Sequence, residues 1–501
     1  MILQRAGRSA LSIDGLVVVL VLFRMIVWIA WEQSYFDSDQ ATTGLMAKHL
    51  AQLKAFPLFF YGQQYMLGIE SWFVAPLFVF LAPSVFLLKL PLVIINIVVG
   101  LLLTTTLVGE AGLARWASVL ASLFFLVPPP IAASRLAEAS GVNLEPFLYT
   151  LLLWRTRERP LLFGAIAGVG FAHREFTAYP VLAVLLLDVL HRRFPTRAGL
   201  SRWAIVFAAV FAVMGVSWLL KPHADLYGPG TAGTLASELR SQSEVVTQRL
   251  GFNAGEVVPN LKWLFTTNLG ALFGWRPSAL ADYFINSSLT VGHVWAWVPF
   301  AVLTLIVTIA AIGRVRRSQP TSVGRSDFPV FLMLVGLQAM LVYTFLSCLV
   351  RDIMLIRYTL LTLFLPVGAL AWLFASNRST TLRSVAVVAT LLWSAAALWD
   401  QGRVLTEYVH EPPSNDFRKL ATYLERTGVR YGEAPYWTAY TIDFLTNERI
   451  ILRSSEVVRI TMYDDLFRQH EDEAVSIVNA PACVGNNNVR LLRWCVRNVS
   501  R

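Results

Sequence analysis

The fold is decided by residues 15–40, GLVVVLVLFRMIVWIAWEQSYFDSDQ, where a long apolar run stops at a group of aromatic and acidic residues. Residues 15–31 are apolar enough to cross a bilayer as a helix. Arg5 and Arg8 precede this run and no small-residue cleavage site follows it, so we predict that it stays in the chain as the first span. The acidic residues then lie where this span meets water.

The composition of the whole chain also requires a membrane. Of the 501 residues, 56% are hydrophobic and 15% are charged, and the mean hydropathy is +0.56. A soluble core of this size could not bury so much apolar surface. The net charge is +10, but the basic residues form short clusters between apolar runs, as in membrane proteins that set their topology this way. This distribution argues against a nucleic-acid partner.

Further apolar runs bring the predicted total to about eleven spans. They are residues 15–31, 88–108, 114–130, 143–154, 160–173, 176–190, 203–220, 293–312, 328–347, 357–375 and 384–399. With the N-terminus in the cytoplasm, every connection on the cytoplasmic side contains arginine, in agreement with the positive-inside tendency. A full span at residues 71–81 would reverse this arrangement, so we predict an interfacial or re-entrant helix there.

This topology places the long polar segments on the outer face. They are residues 32–87, 131–142, 173–175, 221–292, 348–356 and the tail from residue 400. Long loops on one side often contain a functional site. We therefore predict an α-helical polytopic membrane protein whose C-terminus lies outside. Residues 1–399 form the transmembrane domain, with interfacial helices in the first outer loop (32–87), and residues 400–501 form a small extracytoplasmic α/β domain.

The tail has the sequence pattern of a soluble domain. Residues 416–427 are predicted to form an amphipathic helix, and residues 438–444 and 449–453 are predicted to form strands. Cys483 and Cys495 lie in this tail. Two interpretations stay open for them, a disulfide formed in an oxidising outer compartment or two free thiols.

Three carboxylates mark the first outer loop, Asp37 and Asp39 near its start and Glu70 near its end. A structural interpretation is that the two aspartates cap the helix that follows. A catalytic interpretation is favoured by the surroundings, an amphipathic helix and the aromatic-rich residues 56–65. These place the acids near a low dielectric, which raises the pKa of a carboxyl group toward values useful for a general base.

Several short motifs occur in an order that resembles glycosyltransferase family 39. They are DSDQA at 37–41, GLMA at 44–47, FPLFFYGQ at 56–63, LLKLP at 87–91, RY at 357–358, YWTAY at 436–440 and FLTNER at 444–449. The resemblance extends over most of the chain and rests on the ordered set, since no single motif is specific. Members of this group are GT-C fold membrane enzymes, which include the protein O-mannosyltransferases and the aminoarabinose transferase of lipid A.

The resemblance implies roles for particular residues. The catalytic aspartate of the family falls on Asp39, which is followed here by Gln40 where many members have Glu. Asp37 is near enough to share that role. Glu70 matches an acid of the second interfacial helix and is expected to bind the acceptor or the sugar. Further substrate-binding positions implied by the resemblance are Tyr61, Gln63 and Tyr358.

The implied activity is that of a hexosyl- or pentosyltransferase, with a polyprenyl-phosphate sugar as donor and inversion at the anomeric carbon. A carboxylate takes the proton of the acceptor, and cationic side chains hold the leaving phosphate. Cationic candidates on the outer face are Arg135, His173, Arg174, Arg351 and Arg357. The alternatives are simple ion pairs, Arg174 with Glu175 and Arg351 with Asp352, and a structural hydrogen-bonding role for His173.

The expected partners are the polyprenyl-phosphate sugar donor, a glycan, lipid or protein acceptor, and the membrane, with no nucleic acid. We expect no cofactor and no divalent metal, because no cluster of histidines and carboxylates has ligand spacing outside the first loop. The expected location is a bacterial inner (plasma) membrane, with the active site on the periplasmic or extracellular side. The alternative functions are a lipid-sugar transporter or flippase, for which inverted repeats would be typical, and a non-catalytic relative.

Overall fold

The computed structural model describes residues 2–220, 251–274, 304–305, 307–308, 327–347, 351, 353–376, 379–480, 483 and 488–498. The helices up to residue 220 are α1 (Ile2–Ala30), α2 (Ser38–Ala51), α3 (Ile69–Phe80), α4 (Val85–Gly109), α5 (Arg115–Leu126), α6 (Pro130–Leu136), α7 (Glu145–Thr156), α8 (Pro160–His173), α9 (Ala178–Leu190) and α10 (Arg197–Leu220). The helices after the first undescribed segment are α11 (Ala254–Trp263), α12 (Leu269–Phe273), α13 (Phe328–Leu346), α14 (Phe364–Ser376), α15 (Thr380–His410), α16 (Asp416–Arg426), α17 (Tyr436–Leu445) and α18 (Thr461–Gln469).

The predicted polytopic helical fold is confirmed. Within the described ranges, six helices are long and apolar enough to cross a membrane, and α5 with α6 forms a further candidate bent by 87°. Shorter helices such as α7, α8 and α9 coincide with predicted spans. The predicted span at 293–312 lies almost wholly outside the described residues.

The α3 helix lies in a segment of chain that leaves and returns to the same end of the molecule. It has 12 residues, a length of about 18 Å, which is shorter than the hydrocarbon core. Lys89, in the first turns of α4, donates to the backbone carbonyls of Trp28, near the end of α1, and Tyr35. Helix α4 therefore begins at the end of the molecule where α1 finishes, and the chain between them returns to the same side. This return is consistent with an interfacial or re-entrant helix, and the position of α3 relative to the membrane stays a prediction.

The arginines of several predicted cytoplasmic connections lie together at the opposite end. Arg157 pairs with Glu110 at 2.8 Å, and Arg202 donates to the carbonyl of Arg157 at 2.6 Å. Arg202 also pairs with Asp188. The connections after α4, α7 and α9 are thus neighbours, as the predicted topology requires. Which end faces the cytoplasm stays a prediction.

The break between α5 and α6 lies inside the helix bundle and follows from the run Pro128-Pro129-Pro130, which was predicted to end the third span. Proline cannot continue the backbone ladder, so carbonyl groups near the break need other partners. Gln401 donates to the carbonyl of Pro128 at 2.9 Å, and buried Arg24 donates to the carbonyl of Phe125. These bonds support the bend, after which α6 leads into the candidate site.

The tail forms a five-stranded sheet covered by helices, as predicted. The strands are β3 (Tyr431–Ala434), β4 (Ile451–Ser454), β5 (Val475–Asn479), β6 (Val489–Leu491) and β7 (Trp494–Asn498), after the short hairpin of β1 (Phe59–Phe60) and β2 (Gln63–Leu67) in the first outer loop. Their order is β4-β3-β5-β7-β6, with β3 parallel to β4 and β5 and the other pairs antiparallel. Cys483 and Cys495 form a disulfide. Helix α15 continues to residue 410, past the predicted domain boundary at 399/400.

One predicted element of the tail is wrong. Residues 438–444 were predicted to form a strand, but they belong to helix α17. The alternation of large side chains suggested one buried face, whereas Ala439, Thr441 and Asp443 are buried as well. The segment is buried on nearly all sides between the sheet and α2, so its burial has no period of two. The helix at 416–427 and the strand near 449–453 are confirmed as α16 and β4.

Candidate active site

Asp37 caps helix α2. Its Oδ1 accepts from the backbone N–H of Gln40 at 3.1 Å, and its Oδ2 accepts from the hydroxyl of Tyr35 at 3.0 Å. Both carboxyl oxygens are therefore engaged. Burial, together with the nearby charges of Glu138 and Asp39, raises the pKa of Asp37 to about 7. The capping interpretation is thus confirmed for Asp37.

Asp39 lies two residues further on and has different surroundings. Its Oδ1 accepts from the hydroxyl of Tyr436 and lies 3.8 Å from Nη2 of Arg459. Its Oδ2 has no hydrogen-bond partner among the described residues, and the side chain is 22% exposed. One carboxylate oxygen is thus held in place while the other can accept a proton, which is the arrangement that a general base needs.

Arg459, which follows β4, is brought to Asp39 by the packing of the tail domain against the first outer loop. Its Nε donates to the hydroxyl of Tyr436 at 3.2 Å, and its Nη1 donates to the carbonyl of Gly62 at 3.4 Å. The side-chain amide of Gln63 is oriented with its oxygen toward Arg459. Oε1 of Gln63 then accepts from Nη1 and Nη2 of Arg459 at 2.9 and 2.8 Å. The first outer loop and the tail domain therefore build this part of the site together.

A second acid, Glu138, follows α6. Its Oε2 pairs with Arg135 at 3.0 Å and accepts from Asn143 at 2.8 Å, and its Oε1 accepts from Ser140 at 2.9 Å. The guanidinium of Arg135 also lies 4.0 Å from the centre of the Tyr35 ring. Arg135, a candidate for binding phosphate, is thus buried in a network that positions Tyr35 beside Asp37.

Glu70 and Glu145 form a pair of buried acids next to this network. Each lies in the first turn of its helix, α3 or α7, where the helix dipole favours a negative charge. Burial and the neighbouring Glu145 raise the pKa of Glu70 well above its usual value. The like charge of Glu145 disfavours ionisation of Glu70 in addition to the effect of burial. His173 packs beside it, with Nδ1 3.1 Å from the hydroxyl of Tyr149.

Gly141 allows this cluster to pack closely. Its φ of +67° favours glycine, and a Cβ atom there would lie 2.9 Å from Nε2 of His173 and 3.9 Å from Cδ of Glu70. The carbonyl of Gly141 accepts from Nε of Arg174 at 3.4 Å. The loop after α6 thus joins Glu70, His173 and Arg174, three residues predicted from distant parts of the sequence.

Arg174 and Arg357 supply positive charge on the same side. The two guanidinium groups interact electrostatically with each other, and Arg357 also interacts with Asp39 and Glu138. Tyr358 lies beside Arg357, with the guanidinium 5.5 Å from its ring centre. Two cations held close to one another favour the binding of an anion such as phosphate.

Two predicted residues lie elsewhere. The hydroxyl of Tyr61 is 3.1 Å from Nδ1 of His49, in a cluster that joins α2 to the tail domain. Arg351 pairs with Glu256 of α11 and lies 3.4 Å from Oδ1 of Asn260. Asp352, the predicted partner of Arg351, lies outside the described residues.

Four residues of the site were missed in the sequence, Glu138, Glu145, Tyr436 and Arg459. Tyr436 opens the YWTAY motif, so the resemblance could have indicated it. The other three belong to no motif that we used. Among the described residues, no group of three or more histidines, cysteines and acids has an arrangement that could hold a metal, and the expectation that no metal is needed stays a prediction.

Comparison with known proteins identifies the architecture. No protein-family profile and no curated protein sequence matches the chain. Among solved structures, ArnT from Cupriavidus metallidurans, bound to undecaprenyl phosphate, superposes with a TM-score of 0.53 and 11% identity, over 96% of this chain and 97% of that chain. The archaeal oligosaccharyltransferase AglB from Archaeoglobus fulgidus, in complex with an inhibitory peptide and a dolichol-phosphate, superposes with a TM-score of 0.52 and 11% identity, over 94% of this chain and 69% of that chain. The chain therefore has the GT-C fold of these membrane proteins.

Proposed function

We propose that the protein is a membrane glycosyltransferase of the family 39 type. It transfers a sugar from a polyprenyl-phosphate donor to an acceptor at the outer face of a bacterial inner membrane. The observation that supports this most is the environment of Asp39, in which one oxygen is held by Tyr436 and the other is available. The similar structures were solved with undecaprenyl phosphate and with a dolichol-phosphate, which supports a lipid phosphate as the leaving group.

The chemistry is a single displacement. The free oxygen of Asp39 takes the proton of an acceptor hydroxyl while the acceptor oxygen forms a bond to the anomeric carbon. The bond between that carbon and the phosphate oxygen breaks, and the lipid phosphate leaves with the electron pair. Attack from the side opposite the phosphate inverts the anomeric configuration.

The cations assist departure of the phosphate. The leaving group gains negative charge as the bond breaks, and a pre-positioned guanidinium stabilises that charge without reorganisation. Arg174 and Arg357 fit this role, since their mutual repulsion is relieved when an anion binds between them. Arg459 fits a positioning role, because it contacts Tyr436, Gln63 and Asp39 at once.

The test is label transfer from radiolabelled polyprenyl-phosphate sugars to an envelope extract by the purified full chain. We expect transfer by the wild type and a loss of at least about 100-fold in Asp39→Asn, the usual minimum for removing a general base. Asp465→Asn changes an exposed aspartate of the tail domain and is the matched control, with activity equal to the wild type. Equal transfer by Asp39→Asn would exclude Asp39 as the base.

A further inference from the structure

A cleft of about 440 Å³ opens between the tail domain, the end of α15 and the start of the first outer loop. Its size is within the range of sites that bind small molecules. One wall contains Glu32 and Phe36 of the first outer loop, and the facing wall contains Trp437, Glu456 and Trp494 of the tail domain. Since the tail domain forms that wall, the cleft opens outside the membrane part of the molecule.

The cleft lies beside the residues that position the proposed base. Asp37, Pro435 and Trp437 all line it. Tyr436, between the last two, donates its hydroxyl to Asp39. A molecule bound in the cleft would therefore contact the residues on both sides of Tyr436, whose hydroxyl holds Asp39. This is the position that an acceptor occupies, whereas a lipid-linked donor approaches from the membrane.

The walls alternate aromatic faces with hydrogen-bond acceptors. Trp437 is 54% exposed although it is a large apolar side chain, and an aromatic ring exposed inside a cleft indicates a binding surface. Beside it, one oxygen of Glu456 accepts from the backbone N–H of Tyr436 at 3.1 Å, and the other has no hydrogen-bond partner among the described residues. A sugar ring has an apolar C–H face and hydroxyl edges, so it fits such a surface on both counts.

The charges of the lining residues disfavour other acceptors. The acids in the lining are Glu32, Asp37, Asp416 and Glu456, and the basic residue is Arg493. Arg493 stacks on Trp494 at 4.6 Å from the ring centre. An acceptor rich in phosphate or sulfate would find a single basic side chain in this lining, and that side chain already stacks on Trp494. A strongly basic peptide would find few free charges, because Arg418 already pairs with Glu32 at 2.7 Å and Ser414 donates to Asp416 at 2.6 Å.

We infer that this cleft is the acceptor subsite, and that the acceptor is a neutral carbohydrate chain reached from the aqueous side. The inference rests on the proposed function. It assigns Trp437 as the surface on which a sugar ring stacks and Glu456 as an acceptor for its hydroxyl groups.

The test measures binding of defined probes to the full chain in lipid nanodiscs by saturation-transfer NMR. The probes are three neutral tetrasaccharides (mannotetraose, maltotetraose and arabinotetraose), an oligolysine and a heparin tetrasaccharide.

We expect at least one neutral tetrasaccharide to bind, and Trp437→Ala to weaken that binding by about fivefold to tenfold, the range for one aromatic contact. Glu456→Gln, which keeps the shape of the side chain, should weaken it less. Trp399→Ala removes an exposed tryptophan of α15 outside the cleft and should change nothing.

A second readout separates this inference from the proposed function. In the absence of an acceptor, water can take the sugar, and polyprenyl phosphate is released. This hydrolysis needs Asp39 but not the cleft, so Trp437→Ala should retain it. Donor turnover by a wild type that binds none of the neutral tetrasaccharides would overturn the inference and leave the proposed function intact. So would binding of oligolysine or heparin instead, or equal binding of the sugar by Trp437→Ala. Sugar binding without any donor turnover would support the cleft as a carbohydrate site and contradict the transferase.

Discussion

Two aspartates separated by one residue have different tasks in this protein. Asp37 uses both carboxyl oxygens to cap α2 and to bind Tyr35, whereas Asp39 keeps one oxygen free beside a cation of the tail domain. The difference follows from helix geometry, because the N-cap side chain points back to the first N–H groups while a side chain in the first turn points outward. The short DSDQ sequence thus contains both a helix cap and the proposed base.

Asp37 should make the stability of the protein depend on pH. Burial raises its pKa in the folded chain from 3.8 to about 7, so the folded protein holds a proton there that the unfolded chain releases. Folding therefore becomes less favourable as the pH rises through this interval. Asparagine also caps helices but has no charge. The melting temperature of Asp37→Asn relative to the wild type should be higher at pH 8 than at pH 5.

The control for this measurement is Asp465→Asn, whose side chain is exposed and whose effect should be the same at both pH values. A difference between Asp37→Asn and the wild type that does not change with pH would contradict the buried, protonated state of Asp37.

Tyr436 should act through the orientation of Asp39. Tyr436→Phe removes the hydroxyl that donates to Oδ1 of Asp39 and accepts from Arg459, but it keeps the ring. We expect kcat to fall about tenfold or more while the KM for the donor changes little, because positioning of the base matters mainly in the transition state. Tyr423→Phe, on α16, is the matched control. A rise in the KM for the donor with unchanged kcat would show that Tyr436 binds the donor instead.

At this scale the sequence identified residues that belong to local motifs. Asp37, Asp39 and Glu70 were found because they follow apolar runs and precede helices. Arg459 and Glu145 were not found, because their contribution depends on contacts across the fold. Arg459 lies far along the chain from Asp39, and no spacing rule connects the two.

The pairing of α2 with α17 determines whether the site is complete. Gly44 of α2 faces Phe444 of α17, and a Cβ atom on Gly44 would overlap the Phe444 ring. Gly44→Ala should therefore push α17 away from α2 and destabilise the protein by about 1–3 kcal/mol, although alanine favours a helix by about 1 kcal/mol. Transfer activity should fall too, since Tyr436 opens α17. Thermal unfolding and label transfer are the measurements.

Two further variants complete that experiment. Gly215→Ala, in α10, has open space around the new methyl group and should leave stability unchanged or slightly higher. Phe444→Leu should recover part of the loss when it is combined with Gly44→Ala, because the smaller side chain leaves room. Gly44→Ala with wild-type stability and activity would show that the two helices do not need this close contact.

Elements were predicted well where burial follows one period and poorly where it does not. The described spans and the amphipathic helix α16 have a clear pattern and lie where they were predicted, although α1 begins at Ile2 and α15 ends at His410, well beyond the predicted spans 15–31 and 384–399. Helix α17 is buried nearly all round, so its large side chains suggested a strand. For α3, an interfacial or re-entrant position was predicted from the charges of the flanking segments, since its own composition suits a span.

For the whole molecule, the predicted sidedness can be tested with single cysteines. In a Cys348→Ser background, Glu471→Cys places a thiol on the exposed surface of the tail domain, and Arg115→Cys places one at the opposite end. A membrane-impermeant maleimide should label the Glu471→Cys variant in intact spheroplasts. It should label the Arg115→Cys variant only after the spheroplasts have been lysed. The disulfide between Cys483 and Cys495 is consistent with an oxidising outer compartment. Labelling in the reverse order would contradict the topology.

The overall architecture was accessible from the sequence because hydropathy and arginine distribution constrain a membrane protein strongly. The way in which the tail domain completes the site was not, since it depends on contacts such as Lys48 with Glu448 and Ser38 with Thr441. These contacts join segments about 400 residues apart in the chain. The candidate active site is therefore shared between two parts of the molecule that are far apart in the sequence.

The fate of the donor distinguishes a glycosyltransferase from the alternatives. A purified polyprenyl-phosphate sugar is incubated with the full chain in detergent and with an envelope extract that supplies the acceptor, and free polyprenyl phosphate is measured by mass spectrometry for the wild type and Asp39→Asn. Our account predicts one polyprenyl phosphate released for each sugar transferred by the wild type, and almost none released by the folded variant. Sugar lipid that stays intact with every donor, or equal release by both proteins, would contradict a glycosyltransferase with Asp39 as its base.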